Sequence, residues 1–313
     1  MAKPYGAINL NRRAVCGSAA ALLAGNFIPK QVLAQANGEI QSVNDRIDVI
    51  FGLGGNIVVA RGAANAIVVD SGRGSDQQAV LAAIATAATE LPVTTLFNTH
   101  WHLDQIGANA ALRSQGAEII AHEKTLAHLQ TPYYLPAQDR YQEAMPADAH
   151  PTTTFYRDGA IDLDSARVHY GYLLEPHTDG DIFVGFERDN VIAVGDAISP
   201  ERDPVIDWYG GGWLGGRVDV LAQLLASSDS ETRFIPSYGP VVDRSYVAAE
   251  YELMQGLFDI LWDRVRAGEG AEDIYASGAL DDLPRRFDDP MKLLYDTHKS
   301  MWAHYNTLSP DIV

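Results

Sequence analysis

Residues 98 to 105 read Asn-Thr-His-Trp-His-Leu-Asp-Gln and directly follow Val93 to Phe97, an apolar run typical of a buried β-strand. Side chains on an extended segment repeat with a period of two, so His100 and His102 project to the same side. Asp104 follows two residues later. Neutral imidazole with carboxylate suits zinc or non-haem iron. The stretch therefore predicts a metal site at a strand end, although a lone motif of this kind also fits hydrogen-bonded structural histidines.

Two later segments supply further candidate ligands. Residues 176 to 181 read Pro-His-Thr-Asp-Gly-Asp and place His177 on a glycine-containing turn between two β-type segments. Residues 191 to 196 form a buried-strand run that ends in Asp196. Three imidazoles and two carboxylates therefore lie at the ends of predicted strands.

Apolar periodicity assigns the other secondary structure elements. The predicted strands cover residues 47–51, 56–60, 66–70, 93–97, 118–121, 166–174, 182–186, 191–196 and 233–235. The predicted helices cover residues 77–89, 106–115, 218–227, 246–267 and 290–306. Residues 130–153, rich in proline and tyrosine, are expected to form a long loop that either borders the site or caps the structure.

The motifs follow one another in an order that resembles the metallo-β-lactamase superfamily of hydrolases. Asp70-Ser71-Gly72 follows an apolar strand, the motifs around residues 100, 177 and 196 come next, and residues 235 to 240 read Ile-Pro-Ser-Tyr-Gly-Pro. The resemblance spans roughly residues 45 to 270. It implies an α/β fold, an αββα sandwich of two mixed β-sheets flanked by helices, with a metal site at one edge between the sheets.

The resemblance also implies roles for individual residues. The first metal ion would be held by three histidines, with a carboxylate that bridges to a second ion or acts as a fourth ligand: His100, His102, His177 and Asp196. The family's second ion is held by an aspartate, matched here by Asp104, and by two histidines that this sequence replaces with Gln105 and Tyr238. Asp70 resembles an aspartate that lies behind the ligands and supports them.

One tightly bound zinc ion is the expected cofactor, with iron as the alternative. An amide oxygen and an un-ionised phenol replace imidazole poorly, because the phenol must lose a proton whose unperturbed pKa is about 10. A weak second site on Asp104, Gln105 and Tyr238 stays open. With a single ion, Asp104 would orient the attacking water or accept its proton, and Tyr238 would donate to a developing oxyanion.

Residues 208 to 216 read Trp-Tyr-Gly-Gly-Gly-Trp-Leu-Gly-Gly and follow the Asp196 strand. Their glycines permit positive φ, while Trp208, Tyr209 and Trp213 offer apolar faces. A substrate-covering loop and plain packing explain this pattern equally well, and the first would favour a substrate with an apolar or ring-bearing part. Histidines outside the motifs are expected to be structural: His122, His128, His150, His169, His298 and His304.

Residues 1 to 36 are expected to be a twin-arginine export signal. Arg12-Arg13 precedes a weakly apolar run, and residues 34 to 36, Ala-Gln-Ala, fit a cleavage site. We therefore expect a periplasmic protein. Cys16 is the only cysteine and lies inside this segment, so the mature chain would have no thiolate ligand.

The remaining residues are expected to form a metallo-β-lactamase-like domain over 37–245 and a C-terminal helical extension over 246–313 packed on the same domain. The extension would equally allow contact with a second subunit, so the oligomeric state is undecided. The formal net charge is −18 at pH 7. Such a surface repels nucleic-acid phosphate and anionic lipid, which excludes nucleic acid as a partner and leaves no membrane partner once the signal is removed.

The leading functional hypothesis is an exported zinc hydrolase that acts on a small molecule through an ester, thioester, lactone or amide bond, β-lactams included. Arg202 is the only basic residue near the motifs that would anchor a β-lactam carboxylate. One alternative is a mononuclear iron oxygenase of the same fold, with iron on His100, His177 and Asp196. The other is a periplasmic binding protein without catalytic activity, in which Gln105 and Tyr238 mark the decay of an enzyme.

Overall fold

The computed structural model describes residues 38–135 and 139–308, so the predicted export signal lies outside the described residues. In chain order the strands are β1 (Glu39–Ser42), β2 (Ile47–Phe51), β3 (Ile57–Arg61), β4 (Ala66–Val69), β5 (Val93–Phe97), β6 (Glu118–His122), β7 (Tyr133–Leu135), β8 (Arg140–Gln142), β9 (Thr153–Phe155), β10 (Asp158–Leu163), β11 (Ala166–Tyr172), β12 (Ile182–Phe186), β13 (Val191–Gly195), β14 (Arg233–Pro236) and β15 (Val242–Asp243). The α-helices are α1 (Gln77–Ala87), α2 (Asn109–Ser114), α3 (Glu123–Gln130), α4 (Leu214–Ala226), α5 (Arg244–Arg266), α6 (Ala271–Ala276) and α7 (Pro290–Leu308).

Most of these strands belong to two mixed β-sheets. The first sheet has the order β1-β2-β3-β4-β5-β6-β9, antiparallel from β1 to β4 and parallel from β4 to β9. The second has the order β10-β11-β12-β13-β14-β15 and is antiparallel except for the pair β13 and β14. Strands β7 and β8 form a separate hairpin.

Apolar side chains join the two sheets and cover both outer faces. The core between the sheets combines residues from each of them: Ile47, Val58 and Phe97 with Val168, Val184 and Ile235. Helices α1 and α2 cover the outer face of the first sheet, and α4, α5 and α7 cover that of the second. Burial of these faces is the main stabilising term, and the layer order confirms the predicted αββα sandwich.

The C-terminal helices pack against the second sheet of the same chain. Leu257 of α5 and Leu294 and Met301 of α7 are buried in one cluster with Leu214 of α4. The backbone N–H of Leu214 donates to Ser300 Oγ of α7 at 3.3 Å. Among the described helices, none combines the length and apolar character that a membrane span requires.

Several segments differ from the sequence prediction, which included none of β1, α3, β10 and α6. The helix predicted to begin at residue 218 begins at Leu214, with Gly215 and Gly216 in its first turn. A Cβ on Gly216 would lie 2.6 Å from the carbonyl oxygen of Leu174, so this glycine serves close packing rather than a loop. The loop predicted over residues 130–153 contains the hairpin of β7 and β8.

A buried ion pair joins α4 to α5 beneath the strand end that carries Asp196. Arg217 Nη2 donates to Glu250 Oε1 at 2.6 Å, and both side chains are almost fully buried. Arg217 also donates to the backbone carbonyl of Asp196 at 2.7 Å and to Ser199 Oγ at 2.8 Å. Glu250 accepts the backbone N–H of Ser199 at 3.0 Å. The ion pair therefore holds the backbone between Asp196 and Ser199.

Replacing Glu250 with Ala is expected to lower the free energy of unfolding by about 3–5 kcal/mol, because it leaves a buried guanidinium without its counter-ion. Arg217→Met combined with Glu250→Leu should cost less, since both charges are removed. Denaturant titration measures both values. Arg286→Ala, which breaks an exposed ion pair, is the control and should cost at most about 1 kcal/mol. A Glu250→Ala loss no larger than this control would contradict the assignment.

Candidate metal centre

Four potential metal ligands meet at one edge of the sandwich. His100 and His102 follow β5 of the first sheet, His177 lies on the turn between β11 and β12, and Asp196 follows β13 of the second sheet. One ligand atom from each side chain lies within 4.8 Å of those from the other three. The strand ends of both sheets therefore converge on a single centre, as the motif spacing predicts.

The three imidazoles surround a common point. Each pair of ring centroids is separated by 4.7 or 4.8 Å, and the rings are nearly perpendicular to one another. Asp196 Oδ2 lies 3.8 Å from His100 Nε2 and 3.7 Å from His177 Nε2. The side chains of His100 and His177 are fully buried, whereas His102 is 22% exposed and opens the centre on one side.

Each imidazole is oriented by an oxygen on the ring nitrogen that faces away from the centre. His100 Nδ1 lies 3.0 Å from Thr99 Oγ1. His102 Nε2 lies 3.0 Å from Asp207 Oδ2. His177 Nδ1 lies 3.4 Å from Asp181 Oδ1, an ion-pair contact that lacks hydrogen-bond geometry. An oxygen at one nitrogen favours the tautomer that leaves a lone pair on the other, so all three rings present an acceptor to the centre.

Burial and neighbouring charges favour the metal-binding protonation states of His100 and Asp196. Burial, together with the charges of the two adjacent histidines, lowers the pKa of His100 to about 3, so this ring is neutral. Burial alone would lower the pKa of His177, but Asp196 and Asp181 outweigh it and raise that pKa. Burial alone would raise the pKa of Asp196, but His177 and Arg202 outweigh it and bring that pKa to about 2. Asp207 behaves likewise, because the hydrogen bond from His102 outweighs burial and lowers its pKa to about 2.

The donor set fits a metal ion. His100 Nε2 and His177 Nε2 are buried and have no hydrogen-bond partner among the residues that the structure describes. Buried nitrogens without partners cost free energy, which coordination to a cation would recover. Three imidazoles and one carboxylate are a ligand set found at zinc and at other divalent transition metals.

Residues 50–236 match the family model described as the metallo-beta-lactamase superfamily, which is more than half of the chain. The chain belongs to the metallo-β-lactamase superfamily. The superfamily includes hydrolases such as β-lactamases and alkylsulfatases. No curated protein matches the chain.

Solved structures of this superfamily share the fold at low sequence identity. A metallo-beta-lactamase from Pontibacter korlensis is 18% identical, with a TM-score of 0.56 over 70% of this chain and 99% of that one. The inverting sec-alkylsulfatase Pisa1 from Pseudomonas sp. is 13% identical, with a TM-score of 0.64 over 88% of this chain and 51% of that one. The DIM-1 metallo-beta-lactamase is 17% identical, with a TM-score of 0.55 over 70% and 97%.

The three residues at the superfamily's second metal position are engaged in other contacts. The Tyr238 hydroxyl donates a short hydrogen bond to Asp104 Oδ2, so its proton points to that carboxylate rather than to the centre. Gln105 is fully buried, and its amide fills the space where Gly55 would carry a Cβ. Within the described chain, Asp104 does not join the group of clustered ligand atoms. The structure thus brings together the first metal site and not the second.

The glycine-rich loop divides its aromatic residues between two environments. Trp213 stacks on His304 of α7 with a centroid separation of 3.6 Å, which agrees with the packing interpretation. Tyr209 is half exposed and lies beside Trp208 and Tyr134. These three form an aromatic surface next to the loop that carries Asp207.

The six histidines outside the motifs do not join the metal cluster in the described part of the chain. Five of them have a polar partner and one stacks on an aromatic ring: His122, His128, His150, His169, His298 and His304. Sequence reasoning missed Asp207, which orients His102. It precedes the glycine-rich loop without any periodic pattern, so only the tertiary contact identifies it.

Asp70 supports the first ligand through Thr99. Its carboxylate accepts the backbone N–H of Thr99 at 2.8 Å and the Thr99 hydroxyl at 2.7 Å. Burial raises the pKa of Asp70 to about 8, although both hydrogen bonds act in the opposite direction. Since the Thr99 hydroxyl donates to Asp70, it accepts from His100 Nδ1, which leaves His100 Nε2 as the metal-facing lone pair.

Removing this hydroxyl should loosen the metal site. Thr99→Val is expected to lower zinc affinity about 10- to 100-fold, because His100 loses the acceptor that fixes its tautomer. Competition with a chromophoric chelator measures the affinity. Thr99→Ser keeps the hydroxyl and is the matched control. Equal affinities for the Val and Ser variants would show that the hydrogen bond does not orient His100.

Proposed function

We propose that this protein is an exported hydrolase that activates water at a single zinc ion held by His100, His102, His177 and Asp196. The observation that carries the proposal is the convergence of three imidazoles on one point, with Nε2 of His100 and of His177 buried and without a hydrogen-bond partner among the described residues. An oxygen beside the outer nitrogen of each ring is typical of metal ligands, which argues against decay of this metal site.

A zinc ion held there would supply Lewis acidity that makes water nucleophilic near neutral pH. Within the chain, Asp104 is the proposed base: its Oδ2 accepts the Tyr238 hydroxyl, which leaves Oδ1 to orient the attacking water and accept its proton. Burial, and then Asp104, raises the pKa of Tyr238, so the phenol keeps its proton and acts as a donor. Before the Tyr238 hydroxyl could donate to an oxyanion, its hydrogen bond to Asp104 would have to break.

The proposed substrate is a small molecule with an ester, thioester, lactone or amide carbonyl and an apolar part. Exposed apolar side chains support this choice: Leu103 is 37% exposed directly beside the HxH pair, and Tyr209 is 50% exposed. An apolar group of the substrate would gain burial against these side chains, while the carbonyl faces the metal. β-Lactams remain within this class, although no residue selects them.

Metal content tests the proposal. Protein purified without chelators is expected to carry about one zinc per chain, and His102→Ala should lose both the zinc and the hydrolysis found in a screen of esters, thioesters, lactones and β-lactams. His169→Ala is the control, because His169 lies partly exposed on β11 outside the cluster. About one iron would favour the oxygenase instead. Protein that takes up no metal on titration would refute a catalytic role.

Export is proposed from the arginine pair of the N-terminal segment. Replacing Arg12 and Arg13 with Lys should retain the full-length precursor in the cytoplasm of a host that has the twin-arginine pathway. The native chain should appear in the periplasm with Asn37 as its first residue, which mass spectrometry of each fraction determines. Lys3→Gln removes a charge outside the pair and is the control. Equal periplasmic yields from both variants would refute this route.

A further inference from the structure

The superfamily pattern would place a second cation between Asp104 and Asp196, and in this chain a basic side chain lies beside Asp196. We propose that the guanidinium of Arg202 takes the place of the second metal ion and keeps the centre mononuclear. This inference rests on the proposed single-metal function and adds a positioning residue to it. It is carried by the contacts of Arg202 with the residues that would otherwise surround that ion.

Arg202 contacts two of those residues directly and is linked to a third. Its Nη2 donates to Asp196 Oδ2 at 2.8 Å, the same oxygen that faces His100 and His177. Its Cζ lies 3.7 Å from the centroid of the Tyr238 ring, which is stacking distance. The Tyr238 hydroxyl in turn donates to Asp104. The guanidinium therefore adjoins the bridging carboxylate and one substituted ligand position at once.

A fixed positive charge is needed at this place. Asp196 is buried, and Asp104 accepts the Tyr238 hydroxyl, so loss of a divalent cation would leave carboxylates without compensation. A guanidinium does not lose its proton under ordinary conditions. Its planar shape allows one face to stack on Tyr238 while the edge bonds Asp196, which a lysine ammonium does not reproduce.

Other residues hold Arg202 in position. Arg285 donates to the backbone carbonyls of Ser199 at 2.9 Å and Arg202 at 2.6 Å. Asp203 accepts the backbone N–H groups of residues 288 and 289 at 3.0 and 2.8 Å. The segment between α6 and α7 therefore holds the backbone of the loop that carries Arg202. The guanidinium thus lies beside Asp196 before any ligand binds.

The contacts favour this role over that of a substrate anchor. An anchor for a carboxylate would present its donors to the solvent side of the centre, whereas Nη2 of Arg202 is already bonded to Asp196. The neighbouring Gln105 amide is packed against Gly55, and among the described residues neither of its polar atoms has a hydrogen-bond partner. Restoring the missing histidines alone should therefore fail to restore the second ion.

Zinc stoichiometry tests the proposal in four proteins: the native chain, Arg202→Met, Gln105→His with Tyr238→His, and the triple variant that combines all three changes. Each is saturated with zinc sulfate, freed of loosely bound metal by gel filtration, and analysed for zinc per chain. The first three proteins should bind one ion. The triple variant should bind two, because it has both imidazoles and no competing guanidinium.

Arg202→Lys in the two-histidine background keeps the charge and should bind one ion. Arg202→Ala in the same background is a second charge-free variant for the case that the Met variant does not fold. Two ions in the two-histidine protein that retains Arg202 would overturn the proposal, and so would a single ion in a folded charge-free variant. A native chain without zinc would instead refute the proposed hydrolase, while the comparison between Arg202-containing and Arg202-free variants would still decide this inference.

Discussion

The buried carboxylate of Asp196 is the constraint on which the centre depends. One of its oxygens faces two imidazoles, and the same oxygen accepts a hydrogen bond from Arg202. An ionised carboxylate in such a place costs several kcal/mol unless cations and donors surround it. The fold supplies them from both sheets and from the loop after β13. The imidazoles and the guanidinium satisfy this requirement, while the buried pair of Arg217 and Glu250 holds the backbone of the same residue.

Much of the fold could be predicted because strand boundaries coincide with local sequence patterns. The strands over residues 47–51, 93–97 and 182–186 begin and end as predicted, since each is an apolar run bounded by turn or polar residues. His100, His102 and Asp104 are spaced by two residues, so an extended chain places their side chains on the same side. Glycines misled the prediction at Gly216, where close packing inside a helix, rather than a loop, requires the missing side chain.

Other parts of the centre could not be predicted, because they depend on contacts between segments far apart in the chain. Asp207 meets His102 across more than a hundred residues, and Arg285 reaches back to the loop of Arg202. No local pattern marks either residue. The two interpretations of Trp213 are equally compatible with its sequence, and only the tertiary contact with His304 favours packing. Pattern reasoning therefore locates ligands well and their supports poorly.

The C-terminal helices help to hold the centre in place, although their sequence has no metal motif. Trp213 and Leu214 pack on α7, and the chain just before α7 clamps the Arg202 loop. A metal ion binds wherever a cavity offers suitable ligands. The position of a guanidinium depends instead on the backbone that carries it. A centre that replaces one ion with an arginine therefore needs a rigid support for that loop, and the C-terminal segment provides it.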